Sequence, residues 1–178
     1  MIQIFHNGMH EIRFMVMDVD GTLTDGKIYM GNNGEVMKAF DAKDGYAIKC
    51  ILPKLGVIPV VITARESMIL QNRCCELGIE ELYQGKMDKL AVIYELLEGW
   101  TKRDGVEYSL SNVAYIGDDM LDLACMKPIV ESNGITGCPN NAIADVKAFA
   151  SYICSNNGGD GAVREFIEWI SGSEQPSH

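Results

Sequence analysis

At 178 residues the chain is long enough for a single domain, 1–178, that buries roughly 70% of its unfolded surface. A formal charge of −10 and an isoelectric point near 4.7 argue against nucleic acid or an anionic membrane as a partner. No apolar run reaches the ~18 residues of a membrane span, and residues 1–10 lack the basic-then-apolar order of an export signal, so a cytoplasmic protein is expected.

The first element in chain order is an apolar strand through Ile12, Phe14, Val16 and Met17, which runs into Asp18-Val19-Asp20-Gly21-Thr22. A chain leaving a buried strand at its carboxyl end delivers side chains to the crevice where open α/β sheets bind ligands. Two carboxylates one residue apart repel, so they call for a cation or a shared proton, and hard oxygen donors favour magnesium. Taken alone, Asp-x-Asp-Gly also suits a plain turn. An EF-hand fails because Leu23 stands where its glycine belongs. A P-loop from Gly21 to Lys27 fails because Ile28 replaces the metal-binding hydroxyl and the chain continues as strand. Residues 27–30 and 35–40 then flank Gly31-Asn32-Asn33-Gly34, a strong hairpin signal over about 27–40. Its apolar side chains Ile28, Met30, Val36 and Phe40 are expected on exposed faces, and a hairpin this small needs a partner surface.

Residues 45–55 read as a helix closed by Gly56. Residues 57–62 form a second apolar strand, with Pro59 near its start, and end in Thr63-Ala64-Arg65. Helices follow over 68–77, closed by Gly78, and over 89–97, closed by Gly99. Lys89 opens the second of these, where the helix dipole disfavours a cation, so another reason for it is needed. Residues 100–111 read as a polar surface connection. Val113-Ala114-Tyr115-Ile116 is a third strand, ending in Gly117-Asp118-Asp119-Met120-Leu121-Asp122, with a helix over 120–126. An amphipathic helix is expected over 162–170 and a disordered tail over 171–178. Strands alternating with helices give a doubly wound, Rossmann-like parallel sheet, here with a protruding β-hairpin and too few residues between motifs for a cap domain. Six cysteines without a Cys-x-x-Cys pair suit reduced core thiols, and the three histidines lie at the termini, against a histidine-based mechanism.

Singly, Thr63 would serve as a helix cap, Lys89 as a solvated charge and the late aspartates as an N-cap. In this order, however, Asp18 and Asp20, Thr63, Lys89 and Asp118 resemble the four motifs of the haloacid dehalogenase-like phosphohydrolase superfamily. The resemblance narrows to its capless branch acting on 3-deoxy-D-manno-octulosonate 8-phosphate and related sugar-acid phosphates. It rests on Asp18-Val19-Asp20-Gly21-Thr22-Leu23-Thr24-Asp25-Gly26, Lys43-Asp44-Gly45, Leu82-Tyr83-Gln84-Gly85, Ala114-Tyr115-Ile116-Gly117-Asp118-Asp119 and Gly158-Gly159-Asp160-Gly161-Ala162-Val163-Arg164-Glu165.

The resemblance implies Asp18 as nucleophile, Asp20 as general acid/base, Lys89 as the charge-neutralising lysine, and Thr63 with Ala64 and Lys89 as the phosphate site. It implies Mg2+ held by Asp18, the backbone carbonyl of Asp20 and Asp118, with Asp119 and Asp122 orienting ligands or meeting Lys89. A sugar acid carries a carboxylate as well as a phosphate, so further cations are wanted. Arg65 and Arg164 are the candidates, with Lys43 and Lys86 behind them. Arg65 after the motif threonine favours an octulosonate 8-phosphate over the alternative, a nonulosonate 9-phosphate. The branch forms homotetramers through such hairpins, and the same is expected here. A phosphorelay receiver would carry its acidic residues in another order, and an idle assembly domain would not retain every motif residue.

Overall fold

The structure is a computed structural model and describes residues 11–172. His6, His10 and His178, the opening ten residues and the tail beyond 172 lie outside the described residues. In chain order the strands are β1 (Phe14–Met17), β2 (Tyr29–Gly31), β3 (Gly34–Met37), β4 (Ile58–Ile62), β5 (Glu81–Tyr83), β6 (Val113–Ile116), β7 (Ile135–Cys138) and β8 (Tyr152–Ile153). The helices are α1 (Ala42–Tyr46), α2 (Met68–Leu77), α3 (Lys89–Asp104), α4 (Met120–Glu131), α5 (Ala144–Lys147) and α6 (Ala162–Ile170). After α1 the chain continues through a π-type turn, Ala47–Ile51, and a 3-10 turn, Leu52–Leu55, which the left-handed Gly56 ends.

Six strands form one parallel sheet in the order β5-β4-β1-β6-β7-β8, while β2 and β3 pair separately as an antiparallel hairpin. All four residues of β1 are buried, as a strand covered on both faces requires. Met15 and Met17 face one core with Ile48, Leu52, Leu70 and Phe166, whereas Phe14 and Val16 face the other with Ile93, Leu97, Met126 and Tyr115. The chain leaves β1 to build β4 and β5 on one side, then returns to place β6 on the other. β1 is therefore the switch point, and its carboxyl end, with those of β4 and β6, opens on the crevice where such sheets bind ligands.

Several sequence expectations need correction. Helix α3 does not stop at Gly99; it runs to Asp104 and is closed by Gly105. Trp100 holds the extra turns in place, its ring edge-on to Phe14 at 5.8 Å and its Nε1 donating to Glu81. The stretch read as a surface connection is thus half helix. Helix α4 likewise runs past Pro128 to Glu131. Phe40 is not exposed but packs against the first core. Among the cysteines, Cys74, Cys125, Cys138 and Cys154 are buried, while Cys50 is half-buried and Cys75 exposed. The 171–178 expectation meets the described residues only at Ser171 and Gly172, which close α6 in a turn.

Candidate active site

The site is built outward from the end of β1. The Asp18 N–H donates to the carbonyl of Ile116, which extends the β1–β6 pairing by one residue and fixes the aspartate at the sheet's edge. Its Oδ1 accepts a hydrogen bond from Lys89 Nζ at 2.6 Å, and the same ammonium donates to Asp122 Oδ1 at 2.8 Å. Lys89 is only 3% exposed although it opens a helix. The two carboxylates supply the reason that the helix dipole does not. Burial alone would lower the Lys89 pKa, but the charges of Asp18 and Asp122 more than reverse this and raise it.

Asp118, after β6, accepts from the Thr22 hydroxyl at 2.9 Å, which ties the two acidic loops together. Glycine is required at two points of this contact. A Cβ on Gly21, whose φ is +104°, would lie 2.0 Å from Asp118 Oδ2, and one on Gly117 would lie 2.3 Å from the Asp122 carboxyl carbon. Oxygens of Asp18, Asp118 and Asp122 all fall within 4.8 Å of one another. Burial, with the Asp122 charge adding and Lys89 opposing, pushes the Asp18 carboxyl up to about 6. Burial and the Asp18 charge push Asp118 up to about 7. Three crowded carboxylates against one ammonium leave an excess of negative charge that a divalent cation would balance, and the donors are hard oxygens.

Asp122 itself is poorly suited to be a ligand. Its Oδ1 accepts from Lys89 and from the Tyr115 hydroxyl at 2.6 Å, and its Oδ2 accepts from the N–H groups of Asp118 and Asp119 at 2.9 and 3.0 Å. Four donors fill the sites of a carboxylate. Asp122 therefore anchors Lys89 and the Asp118 loop, leaving Asp18 and Asp118 as the side chains able to hold a cation. Asp119 stands apart from Lys89, exposed at the N-cap of α4 with its side chain accepting from the Met120 N–H.

A second group of charges surrounds Asp20. Lys38 Nζ hydrogen-bonds Asp20 Oδ1, and Arg65 Nε lies 3.7 Å from Oδ2. Glu35, on β3, meets Lys38 at 3.1 Å, Arg65 at 3.4 Å and the Ser67 hydroxyl. The sequence reading missed Lys38 and Glu35, because their partners Asp20 and Arg65 lie far from them in the chain. Thr63 is buried at the end of β4, its hydroxyl accepting from the Arg65 N–H at 3.3 Å, with Ala64 half-buried beside it. The Lys86 N–H donates to the Thr63 carbonyl, so this lysine contributes its backbone.

Two expected residues are not brought to the cluster within this chain. Arg164 pairs with Glu168 through Nε at 2.6 Å and stacks over Tyr46, and with Lys43 it lines a separate cleft beside Gly161 and Glu165. The i,i+4 partner on the same helix takes the guanidinium away. The glycine-rich segment before it acts by backbone instead. Gly159 N–H donates to the Thr22 carbonyl at 3.1 Å and Gly158 N–H to Asn141 Oδ1 at 2.9 Å, bracing the loop that carries Asp18 and Asp20. Buried Glu165 holds that brace by accepting from the N–H groups of Ser155 and Asn156.

No family model matches the chain. The 3-deoxy-D-manno-octulosonate 8-phosphate phosphatase KdsC of Escherichia coli (strain K12) is 42% identical over 159 residues, which are 89% of this chain and 79% of that protein. Among solved structures, the 3-deoxy-D-manno-octulosonate 8-phosphate phosphatase of Yersinia pestis superposes with a TM-score of 0.80 at 39% identity, over 91% of this chain and 82% of the other. That of Moraxella catarrhalis, in complex with magnesium ion, phosphate ion and a KDO molecule, gives 0.77 at 38% identity, over 92% and 87%.

The raised carboxyls set a pH dependence. Asp18 and Asp118, with folded pKa values above their ordinary ones, add stability to the metal-free protein below about pH 4, and that contribution is lost as pH rises through about 6 and about 7. A divalent cation held by Asp18 and Asp118 would require the ionised pair. The rise in Tm on exchanging EDTA for MgCl2 is therefore expected to be larger at about pH 8 than at about pH 5. Equal increments at both pH values, by scanning calorimetry, would contradict the assignment.

Proposed function

The chain belongs to the 3-deoxy-D-manno-octulosonate 8-phosphate phosphatase family of the haloacid dehalogenase superfamily, and from that premise we propose that it is a magnesium-dependent phosphomonoesterase acting on 3-deoxy-D-manno-octulosonate 8-phosphate. The observation that carries the reading is the buried Lys89 ammonium shared by Asp18 and Asp122, with Asp118 alongside. Asp18 Oδ1 is held by Lys89, and Oδ2 is the oxygen left to attack. A bond forms from that oxygen to phosphorus while the ester P–O bond breaks, giving an aspartyl-phosphate. Asp20 gives its proton to the departing sugar oxygen. It then takes a proton from the water that attacks phosphorus, releasing phosphate and restoring Asp18.

Lys89 offsets charge on the transferring group, and Thr63 with Ala64 binds its oxygens. Asp18, Asp118 and the backbone carbonyl of Asp20 are the residues that would hold magnesium. When bound, the ion neutralises the repulsion between the nucleophile and the phosphate dianion. Arg65, with its side chain 42% exposed, is the cation at the site freest to meet a substrate carboxylate. Arg164 and Lys43 have no such position in their own subunit.

The hairpin exposes Ile28, Met30, Val36 and Met37. Apolar surface on a two-stranded element seeks cover, and a second copy of the chain offers it in a homotetramer. No helix among the described residues is long and apolar enough to cross a membrane, in keeping with a cytoplasmic enzyme.

Asp18→Asn keeps the shape of the side chain, removes its nucleophilic carboxylate and is expected to lower kcat by about 10⁴-fold or more. Retention of a tenth of wild-type activity would remove Asp18 as the nucleophile. Substrate choice is read from kcat/KM across octulosonate 8-phosphate, nonulosonate 9-phosphates and neutral hexose phosphates. The octulosonate is expected to lead, and a tenfold preference for a nonulosonate would replace the named substrate. Light scattering is expected to give a tetramer mass at micromolar concentration; a monomer mass would contradict assembly through the hairpin.

A further inference from the structure

Building on the phosphatase reading, we propose that Lys38 of the hairpin is a positioning residue: it donates to Oδ1 of the Asp20 carboxyl and so leaves Oδ2 to carry the proton to the leaving oxygen. The hairpin would then take part in catalysis within its own subunit. Its other expected use is assembly.

The placement of Lys38 is unusual for a hairpin residue. Met37, immediately before it, is exposed, as are Met30 and Val36, yet the Lys38 side chain is only 2% exposed. Burying an ammonium is unfavourable unless charged partners compensate, and an apolar side chain could fill the same space without that penalty, as Phe40 does nearby. The compensation comes from two carboxylates, Asp20 and Glu35, both within ion-pair distance of Nζ. Glu35 is in turn held by Ser67 and Arg65, which belong to the connection after β4. Two basic and two acidic side chains thus link the hairpin, the acidic loop and the β4 end.

Within this group Lys38 grips Asp20 more firmly than Arg65 does. Arg65 is 3.7 Å from Asp20 with its side chain 42% exposed, whereas Lys38 makes a direct hydrogen bond from a dry position. Asp20 has its backbone in a turn after β1, and a proton donor must stand within hydrogen-bond reach of the atom it serves. A small misplacement of such a group carries a large rate penalty. Lys38 therefore fixes the aspartate, and Arg65 is left available to the substrate.

The test compares leaving groups. Departure of a sugar alkoxide needs a proton, whereas p-nitrophenolate leaves almost without one. The kcat/KM value reports the steps through leaving-group departure, so its ratio between octulosonate 8-phosphate and p-nitrophenyl phosphate isolates the proton donor. Lys38→Met is expected to lower that ratio about tenfold or more, a part of the ~10²–10⁴ that general acid catalysis supplies, and to do so through kcat with KM little changed. Lys38→Arg, which keeps a cationic donor, is expected to recover most of the ratio. If Lys38→Met does not reach the wild-type Tm, Lys38→Ala, which likewise removes the donor, takes its place in the comparison. Equal losses on both esters in the folded neutral variant, or no loss on either, would overturn the proposal. Absence of turnover of both esters by the wild-type enzyme with magnesium would instead overturn the phosphatase reading.

Discussion

One buried ammonium organises the centre of this molecule. Lys89 is removed from water at a helix start that offers it no electrostatic welcome, and it is stable there because Asp18 at the end of β1 and Asp122 in the first turn of α4 close on it. Burial first, and then the remaining excess of negative charge, raises the carboxyls of Asp18 and Asp118, and that excess makes the crevice a seat for a divalent cation. Take the ammonium away and three carboxylates would crowd one pocket with no internal counter-charge. The proposed nucleophile, cation site and phosphate pocket are in that sense one electrostatic arrangement.

The fold serves this arrangement through position. β1, β4 and β6 run in parallel through the middle of the sheet, so Asp18, Thr63 and Asp118 emerge at the same level. Backbone contact then replaces side chains where space is tightest. Gly21 and Gly117 let carboxylates press against main chain, and the Gly158-Gly159 turn braces the acidic loop from behind. Tyr115, fully buried within β6, reaches up to Asp122 and connects the second core to the site. A change deep in that core would accordingly be felt at the chemistry.

Much of this was legible in the sequence because strong signals sat at element ends. Apolar runs stopping at Asp18, Thr63 and Gly117 located three of the parallel strands and their shared edge, and Gly31-Asn32-Asn33-Gly34 announced the hairpin. The short strands β5, β7 and β8 have two to four residues each and no clear alternation, so they emerge only from pairing. Gly99 looked like a helix stop because its αL freedom is visible in sequence, whereas the packing of Trp100 against Phe14 is not. Arg164 reads as a candidate cation from its glycine-rich context, whereas its pairing with Glu168 one turn on emerges only in the structure. Lys38 was invisible for the opposite reason: nothing local distinguishes a buried hairpin lysine from a solvated one. Its significance comes from Asp20, 18 residues earlier in the chain.

The central claim is that Asp18 becomes covalently phosphorylated, and trapping that species tests it most directly. Acid-quenching the enzyme during turnover of a sugar-acid phosphate with magnesium, reducing with borohydride and mapping peptides by mass spectrometry would convert an acyl phosphate at residue 18 to homoserine. Homoserine at position 18, dependent on both substrate and magnesium, is the expected result. An unmodified Asp18 under conditions of rapid turnover, or reduction at Asp118 or Asp20 in its place, would contradict the account.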